Sequence, residues 1–163
     1  MAKQVWKAGN MVYPLPAVMV STADKEGNTN IFTVAWTGTV CTNPAMVYIS
    51  VRPERYSYHM IEESGEFVIN LTTEQLAHAT DYCGVRSGRD VDKFADFAGV
   101  ERSRNGLLYL TEHVNAMFSC TVKETKNLGS HMMFIGEVTE SKVLGKGAPC
   151  TYAHYHKAIR PKV

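Results

Sequence analysis

Apolar and polar residues alternate over several short stretches of this chain. In 45–51, Val47, Ile49 and Val51 fall on one side and Met46, Tyr48 and Ser50 on the other, the two-residue period of a half-buried strand. The same period runs through Ala116, Phe118, Cys120 and Val122 against Met117, Ser119, Thr121 and Lys123. Further strands are predicted over 17–23, 30–40, 66–71 and 132–138. Turns are expected at 24–28 and 127–129, where Gly27 and Gly129 sit among polar residues.

Helical signals are fewer. Pro53-Glu54 stands where a first turn would begin, Tyr58 and Ile61 lie three apart on one face, and Gly65 suits a left-handed cap. A second helix is expected over 73–82, stopping near Gly84, and a short one over 92–97. The segment 85–106, with Arg86, Arg89, Lys93, Arg102 and Arg104, reads as a polar surface excursion. Strands outnumber helices without strict alternation, so the expected fold is mainly β: a small antiparallel barrel with added helices. No repeat or linker divides the chain, and 1–163 is expected to form one domain.

Composition adds exclusions. At 163 residues, with 45% hydrophobic and 20% charged side chains and a net charge of +1, the chain has no field suited to gathering nucleic acid. No apolar run approaches the ~20 residues of a membrane-spanning helix, and the N-terminus lacks an apolar signal core, so a cytoplasmic protein is expected. Cys41, Cys83, Cys120 and Cys150 are too far apart for a Cys-x-x-Cys pair, and reduced thiols are expected.

The chemistry concentrates between Gly27 and Ser57. Ser50, Arg52, Arg55 and Ser57 surround the expected helix start and supply hydroxyls, cations and backbone N–H groups for a phosphate, although a solvated turn with two surface arginines has the same residues. Trp36 is expected mid-strand beside Thr33, Ala35 and Thr37, either as a core residue or as a flat surface for a planar ring. Lys93 is either solvated or a positive charge near a bound ring or phosphate, and His131 either a turn residue or a donor at a ring edge. Cys41 is read as a small buried hydrophobe or a redox thiol, and His154 and His156 as part of a flexible tail. No metal site and no side chain acting in proton transfer are expected.

In their order, Asn30-Ile31, Val34-Ala35-Trp36, Thr42-Asn43-Pro44, the run Ser50 to Ser57, Gly65 to Leu71, Asp92-Lys93-Phe94 and His131 to Val138 resemble the flavin reductase-like family of split barrels that bind flavin mononucleotide, FMN. The resemblance covers about residues 10 to 145 and implies a Greek-key split β-barrel and a homodimer with one FMN per barrel. It places flavin contacts on Asn30, Trp36, Ser57, Lys93 and His131 and the phosphate turn on Arg52 and Arg55. Thr33, Ala35, Thr37, Ser50 and Tyr56 complete the expected site. The implied function is oxidoreduction from NADH or NADPH to flavin, ferric complexes or another acceptor. A flavoredoxin-type carrier between proteins, or a flavin-binding dimer without turnover, stands as the alternative. The segment 149–156 is similar to the stretch that precedes a rubredoxin domain in some relatives, which implies a rubredoxin-like redox partner.

Overall fold

The protein is described from a computed structural model over residues 2–10 and 12–160; Met1, Met11 and 161–163, part of the expected single domain, lie outside the described residues. Its strands are β1 Val18–Ala23, β2 Thr29–Val34, β3 Thr37–Cys41, β4 Met46–Val51, β5 Glu66–Thr72, β6 Val100–Arg102, β7 Leu108–Leu110, β8 Val114–Asn127 and β9 Met132–Val143. The helices are α1 Tyr56–Ser64, α2 Ala77–Val85 and α3 Tyr152–Ala158.

Seven strands pair antiparallel in the order β2-β1-β5-β8-β9-β4-β3, and β6 and β7 form a separate hairpin. The outermost strands, β2 and β3, are joined by Ala35 and Trp36 alone. Two ends of a seven-stranded sheet separated by two residues of chain must be neighbours, so the sheet is rolled into a barrel. The strand expected over 30–40 is therefore two strands. It breaks at Ala35–Trp36, where the chain leaves β1 and takes up β4, and the Ser50 N–H donates to the Trp36 carbonyl at 2.8 Å.

Side chains sort by the strand period. Val18 and Val20 of β1 enter the barrel with Phe32 and Val34, Ile49 and Val51, Phe67 and Ile69, Cys120 and Phe134. Each large apolar side chain so buried stabilises by about 1.5–3 kcal/mol relative to an exposed one. The alternate residues Met19 and Ile31 face outward and are covered by Cys83, Phe94, Leu110 and Val114. The segment 85–106 thus differs from the solvated excursion expected: it holds the buried Phe94 and Lys93 and begins the β6–β7 hairpin.

Helix α1 begins at Tyr56, after a turn over Pro53–Arg55, and buries Ser57, Tyr58, Met60 and Ile61. It ends as expected at Gly65 (φ 67°), whose N–H reaches the Ile61 carbonyl; a left-handed C-cap favours glycine. Helix α2 follows a 3₁₀ turn at Glu74–Leu76 and buries Ala77, Thr80 and Cys83 on one face.

The segment expected as a flexible tail is structured. Ala17 N–H donates to Cys150 O at 3.0 Å, Cys150 N–H to Thr72 O at 2.9 Å and Tyr152 N–H to Leu15 O at 2.7 Å. Helix α3 then starts at an N-cap, with the Thr151 side chain accepting from the His154 N–H. No helix among the described residues is long and apolar enough to cross a membrane.

Candidate functional site

Three breaks in regular structure converge outside the barrel. They are the Ala35–Trp36 link, the turn from β4 into α1, and the end of α2 running into the loop 86–92. Between them lie two clefts that share Phe32, Arg55 and Val85. The larger encloses about 450 Å³ and the smaller about 200 Å³, together within the range of small-molecule sites.

The larger cleft is lined by Thr33, Ala35, Trp36, Ser50, Arg52, Arg55 and His131 of the expected set. The Trp36 indole stacks on the His131 imidazole, with centroids 6.3 Å apart and planes 14° from parallel. Tyr152 meets the indole edge-on at 5.8 Å, and His156 meets Tyr152 at 4.3 Å. A planar ring entering this space would meet aromatic surfaces and the strand backbone of 33–36. His131 is held below its ordinary pKa by burial and then by the charge of Arg52, so it favours the neutral form.

The smaller cleft is lined by Asn30, Arg55, Tyr56, Ser57 and Lys93 of the expected set, together with Arg86, Ser87, Gly88 and Arg89 and one carboxylate, Glu54. Helix α1 opens with no side-chain cap; the Tyr58 N–H is taken by the Arg55 carbonyl at 3.0 Å, and the N–H groups of Tyr56 and Ser57 are the ones left as donors. Ser57 Oγ accepts from the Asn30 amide at 2.7 Å and from Thr22 Oγ1 at 3.4 Å, which leaves the Ser57 hydroxyl proton for a cleft acceptor. Arg89 lies over the Tyr56 ring, 5.2 Å from its centroid.

Lys93 differs most from a solvated lysine. It is 3% exposed and donates to the Cys83 carbonyl at 2.9 Å, and it forms no ion pair among the described residues. Burial first, and Arg55 as the repelling neighbour, push its pKa down to about 8. A buried ammonium without a counter-ion is costly, and an anion in the adjoining cleft would supply one. Arg55 bridges the two spaces, donating from Nη1 to Gly84 O at 2.8 Å. The loop also approaches closely: a Cβ on Gly88 would stand 2.5 Å from Asn30 Oδ1 and 2.6 Å from Tyr56 Cδ1.

These features fit a nucleotide-like group with one flat aromatic end and one anionic end. Of the expected residues, Thr37 stands apart. Its hydroxyl donates to Tyr48 O at 2.8 Å, and it borders a different, mostly apolar space at the barrel end that also holds Cys41. Burial raises the pKa of Cys83 to about 11 and of Cys120 to about 12, which makes both poor nucleophiles. The sequence reading omitted Tyr152, Tyr155, His156 and Arg160, which close the larger cleft. The Thr151 cap and the i, i+3, i+4 spacing of Tyr152, Tyr155 and His156 were the available signals.

Comparison with known proteins gives one family. The family described as "Flavin reductase like domain" matches residues 10–161. A curated relative, a high molecular weight rubredoxin from Moorella thermoacetica, is 32% identical over 74% of this chain and 53% of its own length. A ferric-chelate reductase (NAD(P)H) from Archaeoglobus fulgidus is 26% identical over 71% of this chain and 68% of its own. The chain therefore spans about half of the first relative and two thirds of the second. Among solved structures, flavoredoxin from Methanosarcina acetivorans superposes with a TM-score of 0.79 at 27% identity, covering 91% of this chain and 82% of its own. Flavoredoxin from Desulfovibrio vulgaris gives 0.77 at 29%, covering 91% and 83%.

Proposed function

The chain belongs to the flavin reductase-like family, and from its site we propose that it binds FMN and passes electrons from NADH or NADPH to free flavin, a ferric complex or another acceptor. Flavin-related oxidoreduction or electron transfer is the common ground of its relatives. When bound, flavin supplies the hydride and one-electron chemistry that side chains lack.

The observation that carries the reading is the buried Lys93, which has no counter-ion among the described residues, beside a start of α1 that no side chain caps. Lys93, Arg89, Ser57 and the first N–H groups of α1 would hold the phosphate, and Arg55 would span phosphate and ring. Trp36, His131 and the 33–36 backbone would hold the ring and shield one part of it from water. Asn30 keeps the Ser57 hydroxyl turned for this work. Proton transfer is assigned to none of them.

The match to a high molecular weight rubredoxin favours a second reading, a carrier whose redox partner is a small iron protein such as a rubredoxin. A homodimer and a cytoplasmic location belong to the proposal, the latter in keeping with four free cysteines.

The visible spectrum of the purified protein, followed by titration with FMN and with riboflavin, tests the site. Tighter binding of FMN by at least tenfold is expected, and equal affinity would refute the phosphate assignment. Anaerobic addition of NADH or NADPH then separates the two functions: bleaching of the flavin band supports the reductase, and its absence supports the protein-fed carrier.

A further inference from the structure

Among the described residues Lys93 is the one buried lysine, and the chemistry of its amine reaches beyond pairing with a phosphate. The amine gives one N–H to the Cys83 carbonyl at 2.9 Å and meets no carboxylate among the described residues. The smaller cleft that Lys93 lines carries Arg55, Arg86 and Arg89 against a single carboxylate, Glu54. Burial is the main reason its pKa falls to about 8. About a tenth of the amine is then neutral at pH 7, against less than about a thousandth for an ordinary lysine of pKa about 10.4. A wall that binds anions and a nitrogen with a free lone pair thus border one small space.

Resting on the phosphate-binding part of the flavin reading above, we infer that the smaller cleft is also a site of covalent modification, which binds a small acyl phosphate through Arg89, Ser57 and the Tyr56 and Ser57 N–H groups and passes the acyl group to Lys93 Nζ. The acyl carbon of such a molecule is joined to phosphorus through one bridging oxygen. An amine standing as counter-ion to the bound phosphate therefore stands against that carbon as well. The Nζ lone pair attacks the carbonyl carbon, the bond from this carbon to the bridging oxygen breaks, and inorganic phosphate leaves with the electron pair. One Nζ proton passes to the phosphate or to water, and no oxidant or reductant is consumed. The amide that forms keeps an N–H for the Cys83 carbonyl and carries no charge, so a buried cation without a partner is replaced by a neutral, hydrogen-bonded group. The same change removes the cation that would meet the FMN phosphate, so acylation switches the cleft off.

The full chain, freed of bound nucleotide, is incubated with acetyl phosphate, and peptide mass spectrometry gives the acetylation rate at each lysine. Lys93 should react about tenfold or more faster than the exposed Lys7 and Lys25 in the same sample, and urea should abolish the difference. Inorganic phosphate, against chloride at matched ionic strength, should slow Lys93 several-fold and leave Lys7 and Lys25 unchanged. Arg89→Gln should slow Lys93 in the same selective way. Acetic anhydride carries no phosphate, so its reaction at Lys93 should respond to neither change. A Lys93 rate no higher than that of Lys7 and Lys25, or one that inorganic phosphate and Arg89→Gln leave unaltered, would overturn the inference.

The consequence is read separately. The acetylated protein, and Lys93→Gln as a neutral amide at the same place, should lose most of the preference for FMN over riboflavin; a preference kept in full by protein acetylated at Lys93 would overturn the switch. A visible spectrum showing tight FMN binding beside an unreactive Lys93 would sink the modification site and leave the flavin reading intact. Acetylation of Lys93 that inorganic phosphate suppresses, in a protein that ignores FMN, would support the acyl phosphate site and defeat the flavin reading.

Discussion

The Trp36 indole and the His131 imidazole lie nearly parallel, 14° apart with centroids at 6.3 Å, although one belongs to the link between β2 and β3 and the other precedes β9. The pair brings a ring with two exchangeable nitrogens against a larger apolar plane. His131 Nδ1 lies 2.8 Å from Ser130 Oγ, which fixes the imidazole orientation. Burial and Arg52 both oppose its protonation.

His131 is therefore expected to titrate below the ordinary imidazole range of about 6.5. In Arg52→Gln the titration should move upward, but only in part, because burial is the larger cause. Side-chain NMR chemical shifts across the titration check this, and an unchanged midpoint would remove Arg52 from the account.

Lys93 gives a pH dependence of opposite sense to that of an ordinary ion-paired lysine. Its folded pKa is about 8, whereas in the unfolded chain the amine stays protonated to about 10.4. From about pH 8 upward the unfolded chain binds more protons, so this group makes stability rise with pH. Cys83 and Cys120, raised to about 11 and about 12, act in the other direction once free thiols ionise near pH 8.5. The clean measurement is thus the Tm of the wild type minus that of Lys93→Met, expected to increase between about pH 7.5 and about pH 9.5. Saturating FMN should flatten the increase, because the phosphate supplies the missing counter-ion, whereas riboflavin should not.

Gly88→Ala should disturb the smaller cleft. The new methyl would overlap Asn30 Oδ1 and the Tyr56 ring, and relief requires moving the amide that donates to Ser57. A loss of about 1–3 kcal/mol in denaturant unfolding is expected, with FMN affinity reduced more than riboflavin affinity. Unchanged FMN binding would show that the loop does not border the phosphate.

Asp81 ties α3 to α2 by accepting from Tyr155 Oη at 2.5 Å and from Arg160 Nε at 2.9 Å. The Tyr155 hydrogen bond is the main reason its carboxyl is held below the usual range. The sign follows: the stabilisation is present above the unfolded carboxyl pKa of about 3.9 and is lost as pH falls through the lower folded value. Asp81→Asn at neutral pH should speed amide exchange in 152–158 at least tenfold, with a small change in Tm. Undiminished protection would mean that the Thr151 cap and the backbone bonds to 14–15 hold the helix alone.

How much of this was legible depends on how local each cause is. The two faces of β4 and β8 and the cap at Gly65 are written in neighbouring residues, and the structure keeps them, although in β8 both faces are covered and Met117 and Ser119 are buried on the outer one. The break at Ala35–Trp36 is not: the apolar pattern runs through it, and only the partners β1 and β4 at opposite ends of the sheet make two strands of one run. Lys93 has the same limitation. Its burial depends on the Cys83 carbonyl and on Phe94 packing across the outer face of β2, neither of which its own segment announces. Helix α3 was legible in its cap and spacing, yet a short terminal run is easily read as loose chain when the backbone bonds that dock it come from residues 14–17.

The two-residue joint between β2 and β3 has a mechanical consequence. Ala35 and Trp36 close the barrel, and the same residues form the wall against which a ring would lie. Moving this wall means pulling apart the ends of the sheet, so its position is set by the hoop of strands, while the facing wall of Tyr152, Tyr155 and His156 is set by how α3 is docked. Ligands of different thickness would be sorted by barrel rigidity together with that docking, and lengthening the joint by one residue should relax that sorting and the fold together.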